Sequence, residues 1–121
     1  MDVEEFVKRL EDGERYFLDL ELPDGSDLNS YVPRINRVLR SSVRESNPLV
    51  IDGCRFQRIR ADDIYLEFLN SIWESEKILY FLDCSLKNSN FCRANLKGAD
   101  FSKSDLSFSN LSGASLEGAK F

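Results

Sequence analysis

The sequence predicts a short solenoid of about two twenty-residue coils over residues 79–121, preceded by a small α/β cap over residues 1–78. Three observations predict it. A large apolar residue returns at every fifth position, as Leu86, Phe91, Leu96, Phe101, Leu106, Leu111, Leu116 and Phe121. A small residue stands two places before each of them: Cys84, Ser89, Ala94, Ala99, Ser104, Ser109, Ala114 and Ala119. Identities also recur at a spacing of twenty, as in Ser89 and Ser109, Ala94 and Ala114, and Gly98 and Gly118. Helices repeat near 3.6 residues and strands at 2, so a period of five calls for a repeat architecture.

The elements of the cap follow in chain order. "DVEEFVKRLEDG" spaces Val3, Phe6, Val7 and Leu10 as one helical face, with acids in its first turn and Gly13 as its stop. "RYFLDLEL" alternates as a strand, Phe17 on one side and Leu18, Leu20 and Leu22 on the other, and Pro23-Asp24-Gly25 closes it as a turn. "VPRINRVLRSSVRES" is a helix with Pro33 in its first turn and an end at Asn47-Pro48. Val32, Ile35, Val38, Leu39 and Val43 form its apolar stripe, and Arg34, Arg37, Arg40 and Arg44 form the opposite one. "LVIDGCRFQRIRA" reads as a strand. "DDIYLEFLNSIWESEK" favours a helix with Ile64, Phe68, Leu69, Ile72 and Trp73 on one side and Asp62 or Asp63 as its cap. "ILYFL" then enters the repeat as a buried strand.

Immediately before each large residue of the repeat comes Ser85, Asn90, Asn95, Asp100, Asp105, Asn110, Ser115 or Lys120. With "ANLKGADF" as the closest match to the unit A(D/N)LXX, residues 79–121 resemble the pentapeptide-repeat family. The resemblance implies a right-handed quadrilateral β-helix, four pentapeptides to a coil, with the large and the small residue both pointing inward. Phe81, Phe101 and Phe121 would then stack as a ladder. Ile51, Phe56, Ala61 and Leu66 share the same phase before Ser71 and Glu76 break it, which puts Cys54 where Cys84 sits, and residues 13–28 look like a worn repeat. Two architectures stay open for residues 1–78: a separate cap, or degenerate coils interrupted by helices. Two coils alone bury too little surface to stand unaided, so residues 1–78 must cover their lower end. At the upper end Phe121 has no polar cap. Either the sequence is cut short there, or the open coil stacks on another molecule through Leu116 and Phe121, giving a homodimer.

Composition excludes several functions. No apolar run exceeds the five residues 78–82, so no membrane span is expected. The N-terminus lacks the pattern of a secretory signal, which makes the cytoplasm the expected compartment. There is no histidine, which removes the commonest general base and metal ligand. Three cysteines without a CxxC pair argue against a disulfide framework or zinc site. Neither a catalytic residue, a metal nor a cofactor is expected.

Charge is segregated. Residues 1–33 carry ten acids against Lys8, Arg9 and Arg15; residues 34–60 carry seven arginines against Glu45 and Asp52. The arginine stripe suits oxyanions, or it pairs internally with those acids. An overall charge of −5 makes nucleic acid an unexpected partner. Cys54 and Cys84 read as core fillers and Cys92 as outward; Tyr65, Phe68 and Trp73 read as packing between cap and coil. Ser102, Ser104, Ser107 and Ser109 have no base beside them and read as scaffold.

Family members resemble non-catalytic scaffolds with flat faces for protein contacts, of bacterial origin. The implied function is a protein-interaction scaffold or a regulatory or assembly adaptor with a protein partner. It would act through the outward residues Lys87, Asn88, Arg93, Lys97, Lys103, Ser107 and Phe108 and through the cap's Arg34, Arg37, Arg40 and Arg44. Arg93 and Phe108 are the partner-binding candidates on the repeat, and Phe108 is the best single one, because the pattern demands no large apolar residue at position 108. Two alternatives remain: anion binding by the arginine helix, and DNA mimicry of the kind shown by gyrase-inhibiting members. The latter use a long acidic solenoid, whereas residues 83–121 carry five bases against four acids.

Overall fold

Asp2 opens helix α1 (Val3–Glu11) by accepting from the Glu5 backbone N–H at 2.8 Å, an N-cap ahead of a first turn that carries Glu4 and Glu5. The chain leaves at Gly13, whose φ of +101° glycine adopts without strain. Phe6, Val7 and Leu10 are buried, and the Phe6 ring meets Phe17 edge-on at 5.2 Å. The computed structural model describes residues 1–45, 47, 49–66 and 79–121, leaving out the side chains of Val43 and Asp52.

Strand β1 (Tyr16–Glu21) departs from simple alternation. Phe17, Leu20 and Leu22 are buried, while Leu18, expected beside Leu20 and Leu22, is 56% exposed. The cause is Asp19, whose φ of +54° turns the chain and moves the inward positions to 17, 20 and 22. That spacing is the one found at Phe81, Cys84 and Leu86 in the repeat.

Helix α2 (Val32–Arg44) buries Val32, Ile35 and Leu39, with Val38 packed against the same core. Asn36 and Ser42 are buried beside them, polar residues that its apolar stripe did not announce. Ser42 Oγ accepts from Arg15 Nε, and Arg15 also donates to Leu10 O at 2.8 Å, tying α2 to the end of α1.

Strands β2 (Val50–Gln57) and β3 (Leu79–Leu82) complete a parallel three-stranded sheet in the order β1-β2-β3. Phe17 pairs with Ile51, Leu20 with Cys54, Cys54 with Leu79 and Phe56 with Phe81. The inward phase does run back to Ile51, but the step from β2 to β3 is 25 residues. Cys54 therefore lies beneath Leu79, one side before Cys84. Beyond the sheet, parallel bridges join Asp27 to Arg60, Arg60 to Ser85 and Tyr65 to Asn90. Within the repeat they step by twenty, from Tyr80 to Asp100, Ser85 to Asp105, Asn90 to Asn110 and Asn95 to Ser115, four sides in succession.

Residues 62–66 contradict the expected helix. Asp62 and Asp63 form a turn, Ile64 and Leu66 are buried, and Tyr65 bridges to Asn90. Asp62 caps no helix there: its Oδ1 accepts from Ser85 Oγ at 2.8 Å and from Lys87 N at 3.2 Å. The phase of five overrides helical propensity because these residues are already committed to the ladder. Phe68, Leu69, Ile72 and Trp73 lie outside the described residues, as do Ser71, Glu76 and Pro48.

One apolar core runs from Phe6 to Phe101. Phe81 and Phe101 stack at 5.0 Å with rings 6° apart, Phe101 and Phe121 at 5.4 Å and 8°, and Phe56 meets Phe81 edge-on at 5.3 Å. The polar column beside them is structural. Asn90, Asp100, Asp105 and Asn110 each accept through Oδ1 from the backbone N–H two residues on, which closes the turn.

Candidate functional site

Each corner of the ladder puts one residue into the left-handed region. Asp63 (φ +64°), Asp83 (+55°) and Asn88 (+57°) tolerate it, and Gly98, Gly113 and Gly118 adopt it freely. At Gly113 the smallness also makes room, since a Cβ there would come within 3.2 Å of Arg93 Cγ. Phe108, at φ +60°, gains from neither reason. Its side chain is 91% exposed, so an aromatic ring stands in water on a strained corner.

Phe108 belongs to a vertical column. Asn88 N donates to Ser107 O at 2.9 Å and Asp63 N to Lys87 O at 2.8 Å, so the corners at 63, 88 and 108 lie over one another. With rungs about 4.8 Å apart, Phe108 stands roughly 10 Å above Asp63. Arg93 occupies a different corner, under Gly113.

Beneath Asp63 lies α2. Asn36 Nδ2 donates to Asp63 O at 3.0 Å, and Asn29 Oδ1 accepts from Asp62 N at 2.9 Å. These contacts set a groove between the helix and the corner, with Arg37, Arg40 and Arg44 on one wall and Asp62 and Asp63 on the other. The arginine stripe divides. Arg34 pairs with Glu11 at 2.6 Å and Glu4 at 3.6 Å, and its hydrogen bond holds the Glu11 carboxyl below its ordinary value. Arg37, Arg40 and Arg44 are exposed and form no ion pair among the described residues. Arg40 lies over the Tyr65 ring, its guanidinium carbon 5.5 Å from the centroid.

The remaining reactive side chains serve the framework. Ser104 Oγ donates to Phe81 O and accepts from Cys84 N at 3.0 Å. Ser109 Oγ donates to Leu86 O at 2.8 Å and accepts from Ser89 N at 3.1 Å. The hydroxyls thus join one rung to the next. Ser102 and Ser107 donate to Asp100 and Asp105 beside them. Burial pushes the Cys54 thiol up to about 12 and raises Cys84 as well. Among the described residues, no group of three or more His, Cys, Asp or Glu is placed to hold a metal ion. Nor is any described helix long and apolar enough to cross a membrane. Of the last rung, Leu116 is half-buried and Phe121 is 65% exposed above Phe101.

Residues 83–121 match the family model for pentapeptide repeats in eight copies. That segment is a run of pentapeptide repeats. Proteins of the pentapeptide-repeat family are β-helical and generally non-catalytic, acting through protein contacts or DNA mimicry. The chain is also similar to a crystal structure of a pentapeptide repeat protein (Rfr23) from the cyanobacterium Cyanothece 51142, at 19% identity and a TM-score of 0.30, covering 97% of this chain and 93% of that one. No curated protein matches the chain. In the pentapeptide-repeat segment the five-residue phase of large residues was legible from sequence, and Phe108 and the arginines were singled out there as candidate contacts. Asn29 and Asn36, which place the arginine helix against the corner, carried no periodic signal.

Proposed function

We propose that this protein is a non-catalytic interaction scaffold that docks a protein partner on the corner column topped by Phe108. The observation that carries the reading is the Phe108 ring, fully solvated at a position whose backbone conformation disfavours it. An exposed aromatic on a strained corner costs stability and solubility, and contact with a partner offsets that.

The scaffold itself is read as two repeat coils standing on worn turns of the same ladder, with α2 replacing missing sides of the lowest turn. Parallel pairing of β1, β2 and β3, and the bridges through Asp27, Arg60 and Ser85, support this. DNA mimicry has less support, since the charges of residues 83–121 nearly cancel.

Phe108→Asn tests the docking. Asparagine suits the left-handed corner, so the variant keeps the fold. Affinity capture from the source organism with wild type and variant side by side should yield a partner that the variant loses. A partner retained equally by both removes Phe108 from the site.

A further inference from the structure

The groove below Phe108 has a chemistry of its own. Arg37, Arg40 and Arg44 follow one another at three and four residues along α2, so their guanidinium groups span about 10 Å of helix. A single phosphate covers a fraction of that length; a row of carboxylates on a peptide covers all of it. The Arg40 guanidinium lies over the Tyr65 ring, on the groove side of the helix. The opposite wall carries Asp62 and Asp63. Burial acts to raise the Asp62 carboxyl, but the hydrogen bonds from Ser85 and Lys87 prevail and hold it below its ordinary value, so Asp62 is charged at neutral pH. Such a wall disfavours a dense polyanion even when the arginine wall attracts it, and the whole chain at −5 adds to the repulsion. A peptide meets both walls, because it can aim acids at the helix and keep other residues toward Asp63. Phe108 stands on the corner column that rises from Asp63, about 10 Å above it.

We infer that the Arg37, Arg40 and Arg44 face of α2 is a docking groove for an acidic segment of a protein partner, one that also presents an apolar residue to Phe108. This rests on the scaffold reading and assigns its partner's chemistry. The apolar neighbours Ile35 and Leu39 supply the packing of the helix, so the arginine face is not part of its core.

The test uses fluorescence anisotropy on the full chain. The probe is a labelled fifteen-residue peptide with glutamates at three- and four-residue spacing and one leucine, compared with its all-glutamine counterpart and with a twenty-base-pair DNA duplex. Wild type should bind the glutamate peptide at least tenfold more tightly than the glutamine peptide, and affinity should fall as salt rises. Arg37→Glu, Arg40→Glu and Arg44→Glu together should weaken binding of the glutamate peptide tenfold or more, while the circular dichroism spectrum stays that of the folded protein and the melt stays cooperative. Equal binding of both peptides, full binding by the charge-reversed variant, or tighter binding of the duplex would each overturn the assignment. If the charge-reversed variant still binds while partner capture depends on Phe108, the arginine groove falls and the scaffold reading stands.

Discussion

The backbone N–H of Tyr65 donates to Asn36 Oδ1 at 2.7 Å, so a helix side chain supplies the acceptor that a lower rung would otherwise provide. The ladder elsewhere uses backbone for this: Asn90 N donates to Ile64 O and Arg60 N to Ser26 O. Asn36 Nδ2 completes the exchange by donating to Asp63 O. An open sheet edge with unsatisfied groups is costly when covered, and α2 resolves it with one buried amide.

Asn36→Leu should therefore destabilise strongly, although leucine fits a helix better than asparagine. It leaves the Tyr65 N–H and the Asp63 carbonyl without these partners under a helix, at roughly 1–3 kcal/mol for each buried group. Urea denaturation measures the change. A loss below about 1 kcal/mol would mean that water replaces the amide.

What was legible in the sequence follows from what repeats. Size at every fifth position is set by the interior, so Leu86 through Phe121 and the Phe81, Phe101 and Phe121 ladder could be read directly. The apolar stripe of α2 was legible for the same reason, with period 3.6. Asn36 and Asn29 were not, because a single hydrogen-bond match between a helix and an edge leaves no period. Leu18 was misplaced because one left-handed residue, Asp19, shifts the phase of a strand without changing its composition. Residues 62–66 were misread as helix because local propensity lost to a register set by Ser85 and Asn90, which are distant in sequence.

The phenylalanine ladder should show a gradient. Phe101 is 1% exposed and stacked on both sides, so Phe101→Ala should cost about 3–5 kcal/mol through lost transfer energy and the cavity left behind. Phe121→Ala removes a ring with one stacking neighbour and most of its surface in water, and should cost about 1 kcal/mol. Thermal melts of the two variants check the order. Equal losses would contradict the packing.

Phe108→Asn should raise the melting temperature. It relieves a left-handed bulky residue, a strain of about 1–2 kcal/mol, and removes no buried contact. A fall in stability would show that the ring packs somewhere in the native protein.

Cysteine reactivity should separate along the inward phase. Cys54 and Cys84 are buried and their thiols raised, whereas Cys92 is half-buried at a corner. A disulfide reagent at pH 8 should label Cys92 in the native protein within minutes, and Cys54 and Cys84 only on unfolding. Rapid modification of all three would mean that the ladder opens readily.

Acid should weaken the fold through carboxylates that the turns hold charged. Hydrogen bonds from Ser102 lower Asp100, those from Ser107 lower Asp105, and Arg34 lowers Glu11. A carboxyl lowered in the folded state binds fewer protons there than in the unfolded chain. Its stabilisation is thus complete above the ordinary carboxylate range near pH 4, and is lost as pH falls through that range toward the folded values. The urea midpoint should accordingly stay level from pH 7 to about 5 and decline below it. Asp100→Asn with Asp105→Asn keeps the side-chain acceptor that closes each turn but cannot take up a proton. That variant should lie close to wild type at pH 7 and decline less steeply in acid. Parallel pH profiles for the two proteins would place the acid-sensitive groups elsewhere, with Glu11 and its bond to Arg34 the next pair to substitute.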